Sequence, residues 1–209
     1  MDSFAAQAKL FSHMARTKDF DENEVLVKAM NLFWTKGYNT TSMEDLVAGL
    51  GISRSSLYDT YTDKHTLFIK ALENYQQISA VKIQEIIDHP GTAKETVRKL
   101  IDLVTEGLLS GRQRKGCFLV NAGVEVGPHD KEVNNLVCRN DQQMEEIFYQ
   151  VIQQGKKNGE IKNPQDARTL AKFIFNTVKG LQVTAKSTAD KSLFNDIIQL
   201  AVSILDQKN

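Results

Sequence analysis

Residues 40–67 read TTSMEDLVAGLGISRSSLYDTYTDKHTL, and no other stretch constrains the fold as tightly. It contains two short amphipathic helical patterns joined at a tight turn, with a third helix opening behind them. Ser42 followed by Asp45 has the spacing of a capping box with a shortened acid. Met43, Leu46, Val47 and Leu50 then form one apolar face. Gly51 breaks that helix, Ile52 fills the elbow, and Ser53 is placed to cap a next helix over Arg54 to Tyr61. Leu57 and Tyr61, four residues apart, turn to a core and leave Arg54, Ser55, Ser56 and Asp59 outside.

Two helices joined by a small-residue turn can lay the second one in a DNA groove. The chemistry of the outer face fits that use. An arginine near a helix N-terminus can bond guanine in bidentate fashion, and serines can bond bases or phosphates. The competing reading is an ordinary polar solvent face. Electrostatics alone gives DNA binding no support: residues 1–74 carry eight Lys and Arg against ten Asp and Glu. The DNA reading therefore stands on spacing rather than on charge.

The flanking segments extend the pattern. Asp21 is placed to cap a helix ending at Lys36, with Glu22 and Glu24 favourable in its first turn. Val25, Leu26, Ala29, Met30, Leu32 and Phe33 share its apolar face, and Gly37 supplies a left-handed C-cap. Asp63 opens a long helix from Lys64 to about Ile87. Its expected buried side holds Leu67, Phe68, Ala71, Leu72, Tyr75, Ile78, Val81 and Ile86. Lys64 opposes the helix dipole in the first turn, a cost that a nearby phosphate would offset. Residues 1–20 form an arm whose cations Lys9, Arg16 and Lys18 precede the first clear helical pattern. The bland reading of that arm is a solvated tail; the functional one is phosphate contact.

The pattern AMNLFWTKGYNTTSMEDLVAGLGISRSSLYDTYTDKHTLF resembles the N-terminal domain of the TetR/AcrR family of bacterial transcriptional regulators. Phe33, Gly37-Tyr38, Thr41-Ser42, Gly51-Ile52-Ser53, Leu57-Tyr58, the aromatic at 61 and Lys64 through Leu67 carry the resemblance. Val47 stands where the family usually has Ala, and Tyr61 where it usually has Phe. The resemblance implies that Thr41 and Ser42 contact phosphate, that Arg54, Ser55 and Ser56 face the major groove, and that Tyr58 and Lys64 clamp the DNA backbone. It also implies a homodimer whose last two helices pack into a four-helix interface.

Beyond His89-Pro90-Gly91, helical patterns run over about 92–109, 131–157, 165–184 and 191–206. The expected fold is all-α, with about nine helices. An arm over 1–20 is followed by a helix-turn-helix domain over 21–80 and a helical ligand-binding and dimerisation domain over 81–209. The last helix, with Ile197, Ile198, Leu200, Ala201 and Val202, is apolar around more of its circumference than one buried face requires, which suits an isologous dimer.

CFLVNAGVEVGPHD, residues 117–130, is apolar apart from a few positions, among them Asn121 and Glu125, which share one helix face. An amide and a carboxylate turned into an apolar cavity would suit a small effector; a surface placement is the even alternative. Cys117, Phe118, Asn121 and Glu125, with Phe148 and Phe173 from later helices, are the expected effector-site residues. Arg112, Arg114 and Lys115 precede Cys117, and cations lower a thiol pKa, which would make it a redox or electrophile sensor. A buried inert cysteine is the preferred reading. Cys117, His129 and Cys138 match no zinc-ligand spacing, so neither a metal nor a cofactor is expected. The basic run 111–116 reads as a solvated turn.

Composition excludes several classes. The chain has 209 residues with 26 basic and 26 acidic side chains, an ordinary balance for a globular protein. No apolar run reaches the ~20 residues that span a bilayer, and the N-terminus lacks a secretory h-region, so a cytoplasmic, membrane-free protein is expected. GxSxG, HExxH and P-loop patterns are missing, so no enzyme is expected. The leading function is a DNA-binding regulator, a repressor released from a pseudo-palindromic operator by a small-molecule or redox effector. The alternative is a helical interaction scaffold without DNA binding.

Overall fold

The structure is a computed structural model that describes residues 20–109 and 115–207. Those residues form nine α-helices: α1 Glu22–Lys36, α2 Met43–Leu50, α3 Arg54–Tyr61, α4 Lys64–Asp88, α5 Ala93–Leu109, α6 Phe118–Glu125, α7 Lys131–Lys157, α8 Ala167–Thr184 and α9 Lys191–Ser203. A 3-10 turn, Ile204–Asp206, closes the described chain. The arm 1–19 and the loop cations Arg112 and Arg114 lie outside the described residues.

Local chemistry sets the boundaries. Asp21, Ser42, Ser53, Asp63, Asp130, Asp166 and Asp190 each accept a backbone N–H in the first turn of the helix they precede. Ser42 and Asp45 form the reciprocal capping box. Gly51 is left-handed, at φ 70° and ψ 26°. Gly37 ends α1 at φ 88° and ψ 161°, which is positive but outside the left-handed helical region expected for a C-cap. Thr62 joins α3 to α4 at φ 65°, an unfavourable value for a β-branched residue.

Two apolar cores organise the helices. The first gathers Val25, Ala29 and Phe33 of α1, Leu46 and Leu50 of α2, Leu57 and Tyr61 of α3, and Leu67, Phe68, Ala71 and Leu72 of α4. It does not stop at the head, because Phe118, Leu119 and Ala122 of α6 and Val133, Leu136 and Val137 of α7 belong to it. The second core is built from α5, α7, α8 and α9. Met43 and Val47, expected to be buried, are only half-buried at the margin of the first core.

The long helix α4 bridges the cores, and its second half departs from expectation. Ile78 is 41% exposed and Val81 61% exposed. Past Tyr75, α4 has left the head core, and Gln76, Gln77, Ser79, Ala80, Ile83 and Gln84 line a body cavity. The periodic apolar residues on the other side are left open.

Candidate nucleic-acid interface and effector cavity

The head presents α3 as an exposed helix. Arg54, Ser55 and Tyr58 are exposed and Ser56 is half-buried, while Leu57 and Tyr61 anchor the opposite face. The Ser53 hydroxyl accepts the Ser56 amide at 3.1 Å and lies 2.9 Å from the Ser55 and Ser56 hydroxyls. Three hydroxyls thus cluster where α3 begins, beside Arg54. The Arg54 guanidinium reaches Glu44 at 3.5 Å, with both side chains mostly exposed. Such a pair is weak and opens readily to a competing acceptor.

Most acids of the head have structural employment, which explains a slightly acidic count beside an exposed polar helix. Asp21 and Asp63 cap helices. Asp45 pairs with Lys36 at 2.5 Å, and Glu24 pairs with Lys28 at 2.7 Å. Lys36 donating to the Asp45 carboxylate, with Ser42 bonding to it as well, lowers its pKa to about 2. Lys64 is half-buried, its ammonium 4.4 Å from the centre of the Tyr38 ring, and burial lowers its pKa.

Thr41 departs from its expected role. Its side chain is buried, and its hydroxyl donates to the Gly37 carbonyl at 2.5 Å, so it shapes the α1–α2 turn instead of facing outward. Ser42 is the exposed member of the pair.

In the body, a cavity of about 320 Å³ lies among α4, α5, α6, α7 and α8. Its walls include Tyr75, Cys117, Leu119, Met144, Phe175 and Gln182. Asp141, also on its wall, pairs with Lys179. Of the six residues expected to line an effector site, Cys117 alone reaches this cavity. Its thiol accepts from the Tyr75 hydroxyl at 3.7 Å, and burial pushes its pKa up, the opposite of the activated thiolate that neighbouring cations would give.

The other five are placed elsewhere. Phe118 packs on Trp34 and Phe68 between head and body, with centroids at 6.1 and 5.8 Å. Phe148 is fully buried in the second core, whereas Phe173 is 47% exposed on α8. Asn121 bonds the Lys115 carbonyl at 2.7 Å and accepts from Lys186 at 3.1 Å. Glu125 turns to the head, accepting the Tyr38 amide at 3.1 Å and the Asn39 amide at 2.8 Å. Phe118, Asn121 and Glu125 together border a separate cleft of about 430 Å³ between α1 and α6. Nothing in the sequence marks Tyr75, Met144, Phe175 and Gln182 as walls of this cavity, because residues on an amphipathic stripe look the same whether they fill a core or line a cavity.

Comparison with known proteins decides the family. Residues 25–71 match the model for bacterial regulatory proteins of the tetR family, and residues 93–201 match the Tetracyclin repressor-like C-terminal domain. The chain belongs to the TetR family. It is 34% identical to the uncharacterized HTH-type transcriptional regulator YezE of Bacillus subtilis, covering 92% of this chain and all of that one. It is 28% identical to the HTH-type transcriptional repressor ComR of Escherichia coli, covering 83% of each. A structure of the TetR-family regulator CifR, a cysteine mutant complexed with 26bp double-strand operator DNA, has the same fold with a TM-score of 0.80 at 24% identity, covering 90% of this chain and 97% of that one. Membership makes this TetR-family chain a DNA-binding transcriptional regulator, not an enzyme. Among the described residues no helix is long and apolar enough to cross a membrane, and no cluster of His, Cys, Asp and Glu could hold a metal ion.

Proposed function

We propose that this TetR-family regulator is a homodimeric cytoplasmic repressor that grips a pseudo-palindromic operator and is released by a small effector in the body cavity. The outer edge of α3, with Arg54 and Ser55 exposed and Ser56 half-buried, carries the DNA part of the reading. In that reading Arg54 and the serines address base edges, while Ser42, Tyr58 and Lys64 hold phosphates, with Thr41 fixing the turn behind Ser42. ComR, a similar protein, is named a repressor, which supports the sign of regulation. The domain division at about residue 80 follows the chain, with α4 belonging to both parts.

Dimerisation is supported by an uncovered apolar face on the last two helices. Phe173 and Val183 on α8 and Leu193 and Leu200 on α9 are exposed, Leu200 by 72%. Gly180 sits between the first two, with open space where a Cβ would project, so a partner helix can approach closely there. Two heads must then match half-sites about one helical turn of DNA apart. An effector that prefers one spacing of the heads shifts the population toward it.

The cavity walls expose mainly apolar surface but also carry Tyr75, Ser79, Asp141, Gln182 and several glutamines, which suits a compact apolar molecule that also bears hydrogen-bonding groups. A scaffold without DNA binding is the contrary outcome. A mobility-shift titration with duplex from upstream of its own gene separates the two: a salt-sensitive shift supports the regulator, and none at low salt removes it. Leu200→Glu should halve the mass seen by light scattering if the α8–α9 face is the dimer interface; an unchanged mass refutes that face.

A further inference from the structure

We propose that Glu125 is a positioning residue: through it the sensing body holds the DNA-reading head in register. The proposal rests on the DNA-binding reading above. Its basis is the double role of α6, an eight-residue helix. At one end of that helix Cys117, Leu119 and Val120 are walls of the body cavity. At the other end the Glu125 carboxylate leaves the body and accepts the amides of Tyr38 and Asn39, at 3.1 and 2.8 Å.

Those two amides lie just past the end of α1, where a left-handed cap would turn such groups back to the free carbonyls of the last turn; Gly37, at φ 88° and ψ 161°, carries the chain off that path. Glu125 therefore provides from the body the acceptor that the helix end usually provides. The fit is close: a Cβ on Gly37 would meet its two oxygens at 3.0 and 3.1 Å. The segment it holds runs directly into Ser42, the N-cap of α2, and Tyr38 is the ring on which Lys64 rests. Two of the expected phosphate-contacting groups thus take their placement from one carboxylate of the body.

Packing around the joint ties α6 directly to the head. Phe118 stands between Trp34 and Phe68, and the Trp34 indole N–H donates to the Gly116 carbonyl at 3.0 Å. A second contact runs parallel to it: His65 Nε2 on α4 lies 2.7 Å from the Asp130 carboxylate at the start of α7, close but not aligned as a hydrogen bond. A ligand that shifts α6 from the cavity side moves Glu125 relative to the α1–α2 turn, so the pocket and the head share one short lever.

Glu125 is an acid whose charge acts on Lys64, an expected phosphate contact, which gives the test opposite signs for two roles. If its charge alone matters, removing it strengthens DNA binding and changes the slope of log K against log salt. If it positions the head, Glu125→Ala leaves the turn to be ordered at the moment of binding, and affinity falls by about three- to ten-fold. Glu125→Gln keeps an acceptor and the shape of the side chain, and should restore part of the loss.

The experiment measures binding of wild type, Glu125→Ala and Glu125→Gln to the same upstream duplex across a salt series, with amide exchange of Tyr38 and Asn39 in the free proteins. Positioning predicts weaker binding by the Ala variant at every salt, partial rescue by Gln, and faster exchange at those two amides with α2 protection retained. Equal or tighter binding by Glu125→Ala, or no rescue by Gln, overturns it. Exchange needs no DNA: if wild type binds no duplex the DNA reading fails, and unaltered exchange in Glu125→Ala separately overturns the joint.

Discussion

Gly37→Ala should be far more damaging than its single added methyl suggests. At φ 88° and ψ 161° the backbone lies in a region essentially reserved for glycine. Holding alanine there costs about 1–3 kcal/mol. The new Cβ would also sit 3.0 Å from a Glu125 oxygen, closer than such contacts normally come. The carboxylate must retreat and weaken its bonds to Tyr38 and Asn39. Charge-assisted bonds are worth ~1.5–3 kcal/mol when shielded; with solvent screening at this half-exposed joint, about 1 kcal/mol is a fair loss. Together the substitution should cost about 2–4 kcal/mol, or a melting point lower by about 5–15 °C for a chain of this size. Urea melts at fixed protein concentration would measure it, because a dimer's apparent stability follows concentration. A double-mutant cycle with Glu125→Ala separates the parts: without the carboxylate, only the backbone strain should remain. A cost below about 0.5 kcal/mol would refute the strain argument. An equal cost in both backgrounds would refute the steric link to Glu125.

Tyr61 is 2% exposed, and its hydroxyl has no hydrogen-bond partner among the described residues, while burial pushes its pKa up to about 12. Tyr61→Phe should therefore raise stability by about 1 kcal/mol in a urea melt, since an unsatisfied buried group is removed; a loss would show that the hydroxyl is paired in solution. Asp45 has a folded pKa of about 2, mainly from the Lys36 hydrogen bond, against an ordinary 3.8. Its contribution is complete above the unfolded value and is lost as pH falls through the folded one. The stability gap between wild type and Asp45→Asn should hold steady above about pH 5 and close toward pH 2; a gap that is flat down to pH 2 contradicts the assignment. Cys117 is buried with a raised pKa, whereas Cys138 is exposed. Iodoacetamide should label Cys138 first, and rapid labelling of Cys117 in the folded protein would revive the sensor reading.

The head was legible in the sequence because its signals are local. A cap, an apolar stripe and a breaker lie within a few residues of one another, so Ser42, Gly51 and Ser53 fix α2 and α3 without knowledge of the rest. Thr41 shows where local reading ends: its neighbours identify the turn, but its burial with the hydroxyl on the Gly37 carbonyl depends on the turn's three-dimensional path. The body was legible as helices and illegible as a site. Phe148 and Phe173 both carry an aromatic ring in a helix, yet one is buried in the core and the other faces outward. Glu125, for which an effector cavity and a surface placement are equally open in the sequence, accepts amides more than eighty residues earlier in the chain. That contact is made across the head–body joint, and no periodicity within α6 encodes it.

The central claim is that the outer edge of α3 reads DNA. It is tested most directly by titrating wild type and Arg54→Ala against the upstream duplex and an unrelated duplex over a salt series. The account predicts a specific complex that weakens linearly in log salt. It also predicts that Arg54→Ala loses about 1–3 kcal/mol, or some five- to 150-fold, on the specific duplex only. Equal affinity of wild type for both duplexes, or an Arg54→Ala protein that still discriminates between them as well as wild type, would contradict it.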